Sequence, residues 1–343
     1  MIRKLLLMLC FGIVSVTLLY IYSNKSANKK NGFNRSISKK TAILENTILL
    51  DNDLYSIADI DPKFITLYKF RKPYDLLKVT IDLAHRQYYQ LPLRSKNEQF
   101  PGLNTVAFIK DSTIVLSGGT STAYQLTSGY SVTKRKKLDS LVFNQSEVVN
   151  SDSFILMSEV QLGGTKRRKI KKLNFRGNEL NYYIPEKQID GYFCTDGLFK
   201  YDSKSRKLVY MFYYRGSFVC LNSNLKVLYK AKTIDTITLA KIQLKISDSS
   251  ITQSTPPPIV NKRFCIADNS VYIQSALKAD NEPSSNPNHG AIIDIYNLQS
   301  GKYKSSFYLP YLERQKLTEF RIYEHSLIAL YANKLAVFKI PDF

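Results

Sequence analysis

The chain has 343 residues, with 49 Lys/Arg against 28 Asp/Glu, three His, four Cys, no Trp, 24 Tyr and 18 Phe. Its 44% hydrophobic and 22% charged composition excludes global disorder, and 14 Gly with 12 Pro exclude collagen-like and low-complexity organisation. The net charge of +21 is uneven: residues 1–40 carry eight Lys/Arg and no acid, and residues 134–232 carry twenty basic and nine acidic residues. Such a surplus speaks to solubility and partners rather than to fold.

Arg3 and Lys4 precede an apolar run from Leu5 to Tyr22 without a charge. A basic start followed by a run of that length predicts a signal anchor or signal peptide over residues 1–22, near the lower limit of a membrane span. No small-x-small cleavage site follows Tyr22, and Cys10 follows Leu9 rather than a small residue. An uncleaved anchor through residues 5–22 is therefore favoured over a cleaved signal, and lipidation at Cys10 is disfavoured. Lys25, Lys29, Lys30, Arg35, Lys39 and Lys40 outnumber Arg3 and Lys4, so a literal charge count leaves the body in the cytoplasm. Long C-terminal domains nevertheless translocate largely regardless of charge, so an inner-membrane anchor with a periplasmic body is preferred. Residues 23–40, polar and basic, read as a flexible tether.

From residue 41 the chain reads as short β-branched and aromatic runs broken by Asp, Asn, Ser and Gly. Examples are Phe64–Tyr68, Leu76–Leu83, Thr113–Leu116, Phe154–Met157, Leu208–Tyr214, Val271–Gln274, Ile292–Leu298 and Leu335–Ile340. Similar strand ends recur at positions 82, 125, 173, 221, 297 and 339, spaced by 43, 48, 48, 76 and 42 residues. Four of these five intervals match a propeller blade. The long one holds the insert Thr236–Ile259 and the polar loop Asp280–Gly290. Six anchors predict six four-stranded blades over residues 41–343. The last unit has only three strands of its own, and the spare run Ile43–Leu50 would complete it and close the ring. The alternative architecture is a pair of β-sandwiches.

With blade-like segments such as Gly197-Leu198-Phe199-Lys200-Tyr201 and Tyr296-Asn297-Leu298-Gln299-Ser300-Gly301-Lys302, residues 42–343 resemble six-bladed β-propeller proteins of the bacterial envelope, of the NHL and TolB-like kind. The resemblance is architectural and carries over no catalytic residue.

His85, His289 and His325 fall in different units without metal-like spacing. Phe193-Cys194 and Phe264-Cys265 occupy similar places early in neighbouring units, so a disulfide between Cys194 and Cys265 is the candidate covalent link. The alternative is buried thiols, as for Cys220. Ser117-Gly118-Gly119-Thr120 and Leu162-Gly163-Gly164-Thr165 read as hairpin turns, and phosphate-loop and nucleophile-elbow motifs are absent. Asp51/Asp53, Asp59/Asp61, Asp235 and Asp268 lie near strand ends, where a propeller mouth gathers carboxylates. The stretch Tyr210-Met211-Phe212-Tyr213-Tyr214-Arg215 reads as core.

The basic clusters are the most informative feature. Lys134-Arg135-Lys136-Lys137 and Lys166-Arg167-Arg168-Lys169-Ile170-Lys171-Lys172 sit at similar phases of adjacent units, followed by Lys200, Lys204, Arg206 and Lys207. They predict a basic face for a protein partner or an anionic envelope component; an ordinary solvated rim is the alternative. No nucleic-acid motif accompanies them, and nothing calls for a cofactor or metal. The function expected is a non-enzymatic, membrane-anchored binding scaffold, with a carbohydrate-active enzyme using mouth carboxylates as the alternative and a purely structural envelope protein as a third reading.

Overall fold

The computed structural model describes all residues except 1, 28–29, 39–40, 52–53, 94–99, 139–141, 248–249, 284–289, 314 and 341–343. The chain opens with helix α1 (Ile2–Ala27) and then forms twenty-six strands among the described residues. Strand β1 (Ile43–Leu49) comes first. The first blade is β2 (Tyr55–Ile60), β3 (Phe64–Lys69), β4 (Lys72–Thr80) and β5 (Arg86–Gln90). The second is β6 (Asn104–Ile109), β7 (Ser112–Ser117), β8 (Thr122–Thr127) and β9 (Val132–Lys137). The third is β10 (Phe143–Asn150), β11 (Ser153–Leu162), β12 (Thr165–Asn174) and β13 (Glu179–Tyr183). The fourth is β14 (Gly197–Asp202), β15 (Lys207–Phe212), β16 (Ser217–Asn222) and β17 (Val227–Lys232). A small hairpin, β18 (Leu244–Ser247) and β19 (Ser250–Gln253), lies inside the insert that precedes the fifth blade.

The fifth blade is β20 (Asn261–Ala267), β21 (Ser270–Ser275), β22 (Ala291–Asn297) and β23 (Tyr303–Leu309). The sixth contains β24 (Glu319–Tyr323), β25 (Ser326–Leu330) and β26 (Lys334–Lys339). Its fourth strand is β1, antiparallel to β26 from Ile43 opposite Lys339 to Leu49 opposite Lys334. The chain is a six-bladed β-propeller.

Strand composition follows radial position. The second strand of each blade is covered on both faces, and β15 (Lys-Leu-Val-Tyr-Met-Phe) and β21 (Ser-Val-Tyr-Ile-Gln-Ser) read as near-continuous buried runs. The outer strands β5, β9, β13 and β17 are mostly exposed. Among the described residues, an apolar cluster fills each of the six gaps between neighbouring blades. In the gap between the last blade and the first, Ile328, Leu335 and Val337 pack against Ile57, Leu67 and Leu77. Of the segment Tyr210–Arg215, Tyr210, Met211 and Phe212 are core as expected, Tyr213 and Tyr214 are half-buried, and Arg215 stacks on Phe212, 3.6 Å from the ring centre.

The N-terminal region departs from the sequence reading. α1 continues through residues 23–27, the start of the expected tether. Residues 31–38 do not hang free but lie against the fifth blade. The backbone amides of Asn31 and Gly32 donate to Asp280, Phe33 is buried, and Ile37 forms a parallel bridge with Ser306. The centre of this strap is Arg35, whose side chain is fully enclosed. Its guanidinium donates to Asp294 Oδ1 at 2.7 Å and Oδ2 at 3.0 Å, to the Leu277 carbonyl at 3.0 Å, and to Glu282. Ser306 and Tyr308 hydroxyls complete the two carboxylates at 2.6 and 3.0 Å. Burial alone pushes the guanidinium pKa down, but Asp294 and Glu282 outweigh it and hold Arg35 above its ordinary value. A polar, basic composition missed this because the apolar Phe33 and the matching acids lie some 250 residues apart in sequence.

Among the described residues no helix is long and apolar enough to cross a membrane.

Removing one member of a buried, hydrogen-bonded charge pair leaves the other uncompensated, which costs about 3–5 kcal/mol. Arg35→Ala is expected to lower unfolding stability in urea by that amount, and Asp294→Asn in the same background to recover part of it. A loss under ~1 kcal/mol would mean that the strap pair behaves as a surface contact.

Candidate functional site

The six inner strands β2, β6, β10, β14, β20 and β24 surround a central channel. Their alternation buries Ile57, Val106 and Phe199 between blades and turns Ser56, Thr105 and Lys200 to the lumen. Ion pairs line the channel wall: Lys200 of β14 to Glu147 of the neighbouring β10 at 2.9 Å, and Arg321 to Glu319 within β24 at 3.3 Å. Glu319 also accepts the Ile57 amide at 3.2 Å, and Arg321 donates to the Ile57 carbonyl at 2.9 Å. Burial disfavours the Arg321 charge, but Glu319 and Glu147 more than offset it and raise its pKa.

The two openings differ in charge. The opening at the strand starts is a cavity of about 290 Å³ whose charged lining is Lys200, Lys262, Arg263, Glu147 and Glu319. The opening at the strand ends, about 550 Å³, is lined by Asp59, Asp202, Asp268 and Glu324 together with Lys204 and Arg321. Two of the carboxylates singled out in the sequence, Asp59 and Asp268, thus meet there. Asp61 instead caps its own turn through the Lys63 and Phe64 amides at 2.8 and 2.9 Å. Asp235 accepts the Ile237 amide at 2.9 Å and the Thr233 hydroxyl. Asp51 pairs with Lys69 at 2.7 Å, and Asp53 lies outside the described residues.

The basic runs do not share one phase, contrary to the sequence reading. Lys134–Lys137 belong to β9, the outer strand of the second blade; Lys166–Lys172 belong to β12, the third strand of the next. Lysine on an exposed outer strand has a structural use of its own, since it discourages edge-to-edge pairing. Many of these cations are also engaged within the fold. Lys134 lies 5.6 Å over the Phe175 ring, Arg135 5.5 Å over Tyr124, and Lys137 donates to the Thr120 carbonyl at 2.5 Å. Lys136 packs against Gly177 of the third blade.

Along β12, Lys166 pairs with Glu159, while Lys169 and Lys171 share Glu179 at 2.7 and 3.7 Å. Arg167 packs on Gly191. Arg168 is buried, meets Asp196 at 3.0 Å and stacks 4.5 Å over Tyr192. Lys172 is buried beside Asn224 at 3.1 Å, and burial lowers its pKa. Lys134, Arg135, Lys137 and Lys166 remain exposed.

Cys194 and Cys265 are not bridged; both are buried free thiols, as is Cys220. Cys194 precedes β14 rather than lying in it and packs with Ala240 and Ile242, donating to the Asp190 carbonyl at 2.6 Å. Cys265 lies inside β20, between the fifth and sixth blades. The equivalence of the two Phe-Cys pairs fails because only one sits in a strand. His85 and His325 are exposed turn residues, and His289 lies outside the described residues. No metal-holding group of His, Cys, Asp or Glu occurs among the described residues.

The sequence reading missed Lys262, Arg263, Glu319 and Arg321. The available signal was a charge set among apolar neighbours near the start of a unit, as in Lys262-Arg263-Phe264 and Phe320-Arg321-Ile322.

No protein-family model matches the chain, and no curated protein matches it in sequence. Solved structures do match in fold. A member of the DUF4221 family from Bacteroides vulgatus superposes with a TM-score of 0.54 at 14% identity, covering 92% of this chain and 100% of that one. BamB from Moraxella catarrhalis gives 0.46 at 11% identity, over 87% of this chain and 100% of that one. Virginiamycin B lyase from Staphylococcus aureus gives 0.48 at 11% identity, over 86% and 99%. At these identities what is shared is the propeller fold.

Burial pushes the Asp59 carboxyl pKa up, with Asp61 adding to it and the Ile60 amide, Arg321 and Lys78 opposing. The folded chain therefore holds this proton to higher pH than the unfolded chain, and the associated stability is full at low pH and lost as pH rises through the raised value. Asp59→Asn is expected to raise urea stability at pH 7 and to lose that advantage as pH falls into the ordinary carboxylate range. An equal gain at pH 7 and pH 4 would assign the effect to packing instead.

Proposed function

We propose that this propeller is a membrane-anchored, non-enzymatic binding scaffold of the bacterial envelope, with its body in the periplasm, that holds a protein or anionic partner against its exposed basic strands. The observation that carries the anchoring is α1. Met8, Phe11, Val16 and Leu19 are 67–76% exposed, although the strap that follows is docked on the fifth blade. An apolar helix left uncovered by its own domain calls for a lipid or protein environment, and the uncharged run of residues 5–22 stands near the lower limit of a membrane span. The strap would then fix the distance between membrane and propeller, and β1 would serve as the strand that closes the ring.

The partner surface is read from Lys134, Arg135 and Lys137 on β9 and Lys166 on the β11–β12 hairpin, the exposed members of the runs Lys134–Lys137 and Lys166–Lys172. That hairpin turns through Gly163 and Gly164, both at positive φ of 56° and 75°, the backbone a tight two-residue turn requires.

Crosslinking in intact cells tests this reading. The anchored protein is compared with a variant carrying Lys134→Gln, Lys137→Gln and Lys166→Gln; Arg168 and Lys172 are spared because they are buried. The expected result is one specific crosslinked partner, lost in the variant at unchanged melting temperature. A partner retained by the variant would remove the basic strands from the reading, and no partner for either form would overturn the scaffold.

Deleting residues 1–50 is expected to expose the β26 edge and produce self-association, whereas deleting residues 1–29 is not. Monomeric behaviour of both would overturn the closing role of β1. The carboxylates around Asp59 and Asp268 favour a second reading, a carbohydrate-active enzyme. Hydrolysis of an envelope glycan that is abolished by Asp268→Asn would establish it.

A further inference from the structure

We propose that the cavity at the strand-start opening of the channel is a binding site for a monocarboxylate with a short aromatic or apolar body, and that the Arg263 guanidinium is its anchor. The site is independent of the basic strands and of the scaffold reading.

Charge matching within the cavity leaves Arg263 unbalanced. Of the two acids in the lining, Glu147 is committed to Lys200 at 2.9 Å. Glu319 is committed to Arg321 at 3.3 Å and to the Ile57 amide at 3.2 Å. Arg263 is half-buried, and its Nε donates to the Thr318 backbone carbonyl. Among the described residues no carboxylate forms an ion pair with Arg263 or with Lys262 beside it. The terminal amino groups of the guanidinium are left for whatever enters the cavity. Burial lowers the Arg263 pKa, with Tyr213 and Glu319 only partly offsetting it, and Lys262 is lowered by burial, Lys316 and Arg263. Arg263, half-buried, and the exposed Lys262 beside it thus sit at the rim without a carboxylate of the described residues in an ion pair with either.

The cavity also selects among anions. Glu147 and Glu319 share the lining with Lys200, Lys262 and Arg263, and their charges repel a dianion placed near them more than a single negative charge. A guanidinium with one edge tied to a carbonyl still offers a planar pair of donors, the geometry that fits a carboxylate. Phe70, Leu198, Phe264 and Phe320 supply an apolar wall for the body of the ligand, and Gln145 and Tyr213 lie beside them. At about 290 Å³ the cavity takes a group of about the size of a phenyl ring with its acid rather than a long chain. The carboxylate could be carried by a free small acid or by the end of a peptide.

The test is titration of the full chain in detergent, followed by calorimetry, with phenylacetate as probe. Phenylacetamide serves as the neutral isostere, inorganic phosphate as the alternative anion, and Gly-Gly-Phe with a free C-terminus as the peptide source. Saturable binding of phenylacetate is expected, with phenylacetamide and phosphate binding at least about tenfold more weakly, since a hydrogen-bonded charge is worth that much or more. Arg263→Gln is expected to weaken phenylacetate about tenfold or more. Lys262→Gln, on an exposed side chain whose loss does not disturb the core, is expected to weaken it by a few-fold. Tighter binding of Gly-Gly-Phe than of phenylacetate assigns the carboxylate to a peptide, and the reverse assigns it to a small acid; either supports the site. Equal binding of phenylacetate and phenylacetamide, unchanged affinity in both variants, or no saturable binding of any acid would overturn it.

Discussion

A four-stranded blade has two apolar faces and can cover neither by itself. Each of these blades buries one face against the blade before it and the other against the blade after it, so the requirement is met only when the last meets the first. The cluster joining Ile328, Leu335 and Val337 to Ile57, Leu67 and Leu77 is the contact that makes this a ring. Other features follow from the ring. Inner strands lie edge-on around an axis, so alternate side chains must line a channel. The outer strands β5, β9, β13 and β17 face water and are mostly exposed, whereas the outer strand β23 is largely buried, with the strap lying against it. Charged side chains that line the channel, Glu147 with Lys200 and Glu319 with Arg321, pair with one another in this partly enclosed space.

The same constraint explains much of the basic surplus. A net charge of +21 reads at first as a surface waiting for an anion. In the folded chain Arg168 is paired with Asp196, Lys169 and Lys171 share Glu179, and Arg35 is enclosed by Asp294 and Glu282. Long basic side chains also cover aromatic rings at blade edges, as Lys134 does on Phe175 and Lys169 on Tyr182. These cations serve packing and edge protection first. What the fold leaves exposed of the two basic runs is smaller and more local than the composition implies: Lys134, Arg135 and Lys137 of β9 and Lys166 at the β11–β12 hairpin, with Arg263 half-buried at one end of the channel.

Legibility in the sequence tracked burial. The second strands stood out as apolar runs because both of their faces are covered. The third strands were found because similar strand ends recur along the chain, four of the five intervals between them being of blade length. The outer strand β9 and the start of β12 were read as charge clusters rather than strands, since a solvent-facing edge obeys no apolar alternation. The strap at residues 31–38 was invisible because its local composition is that of a linker. Its order derives from Asp280, Glu282 and Asp294. One hint existed: Asp294 interrupts the run Ile292-Ile293-Asp294-Ile295-Tyr296, and an acid inside a doubly buried strand needs a cation from elsewhere.

The sequence by itself determined the all-β class, the six-unit repeat and the apolar N-terminal run, because these rest on periodicity and composition that local segments carry. Only the tertiary structure decided which charges are used up inside the fold and which are left over. It also decided that Cys194 and Cys265 do not meet, that residues 31–38 are docked, and that one channel opening is cationic while the other gathers carboxylates. Those properties depend on which residues from different blades arrive at the same radius and height. That is fixed by strand register and blade twist, and no single segment of the chain encodes it.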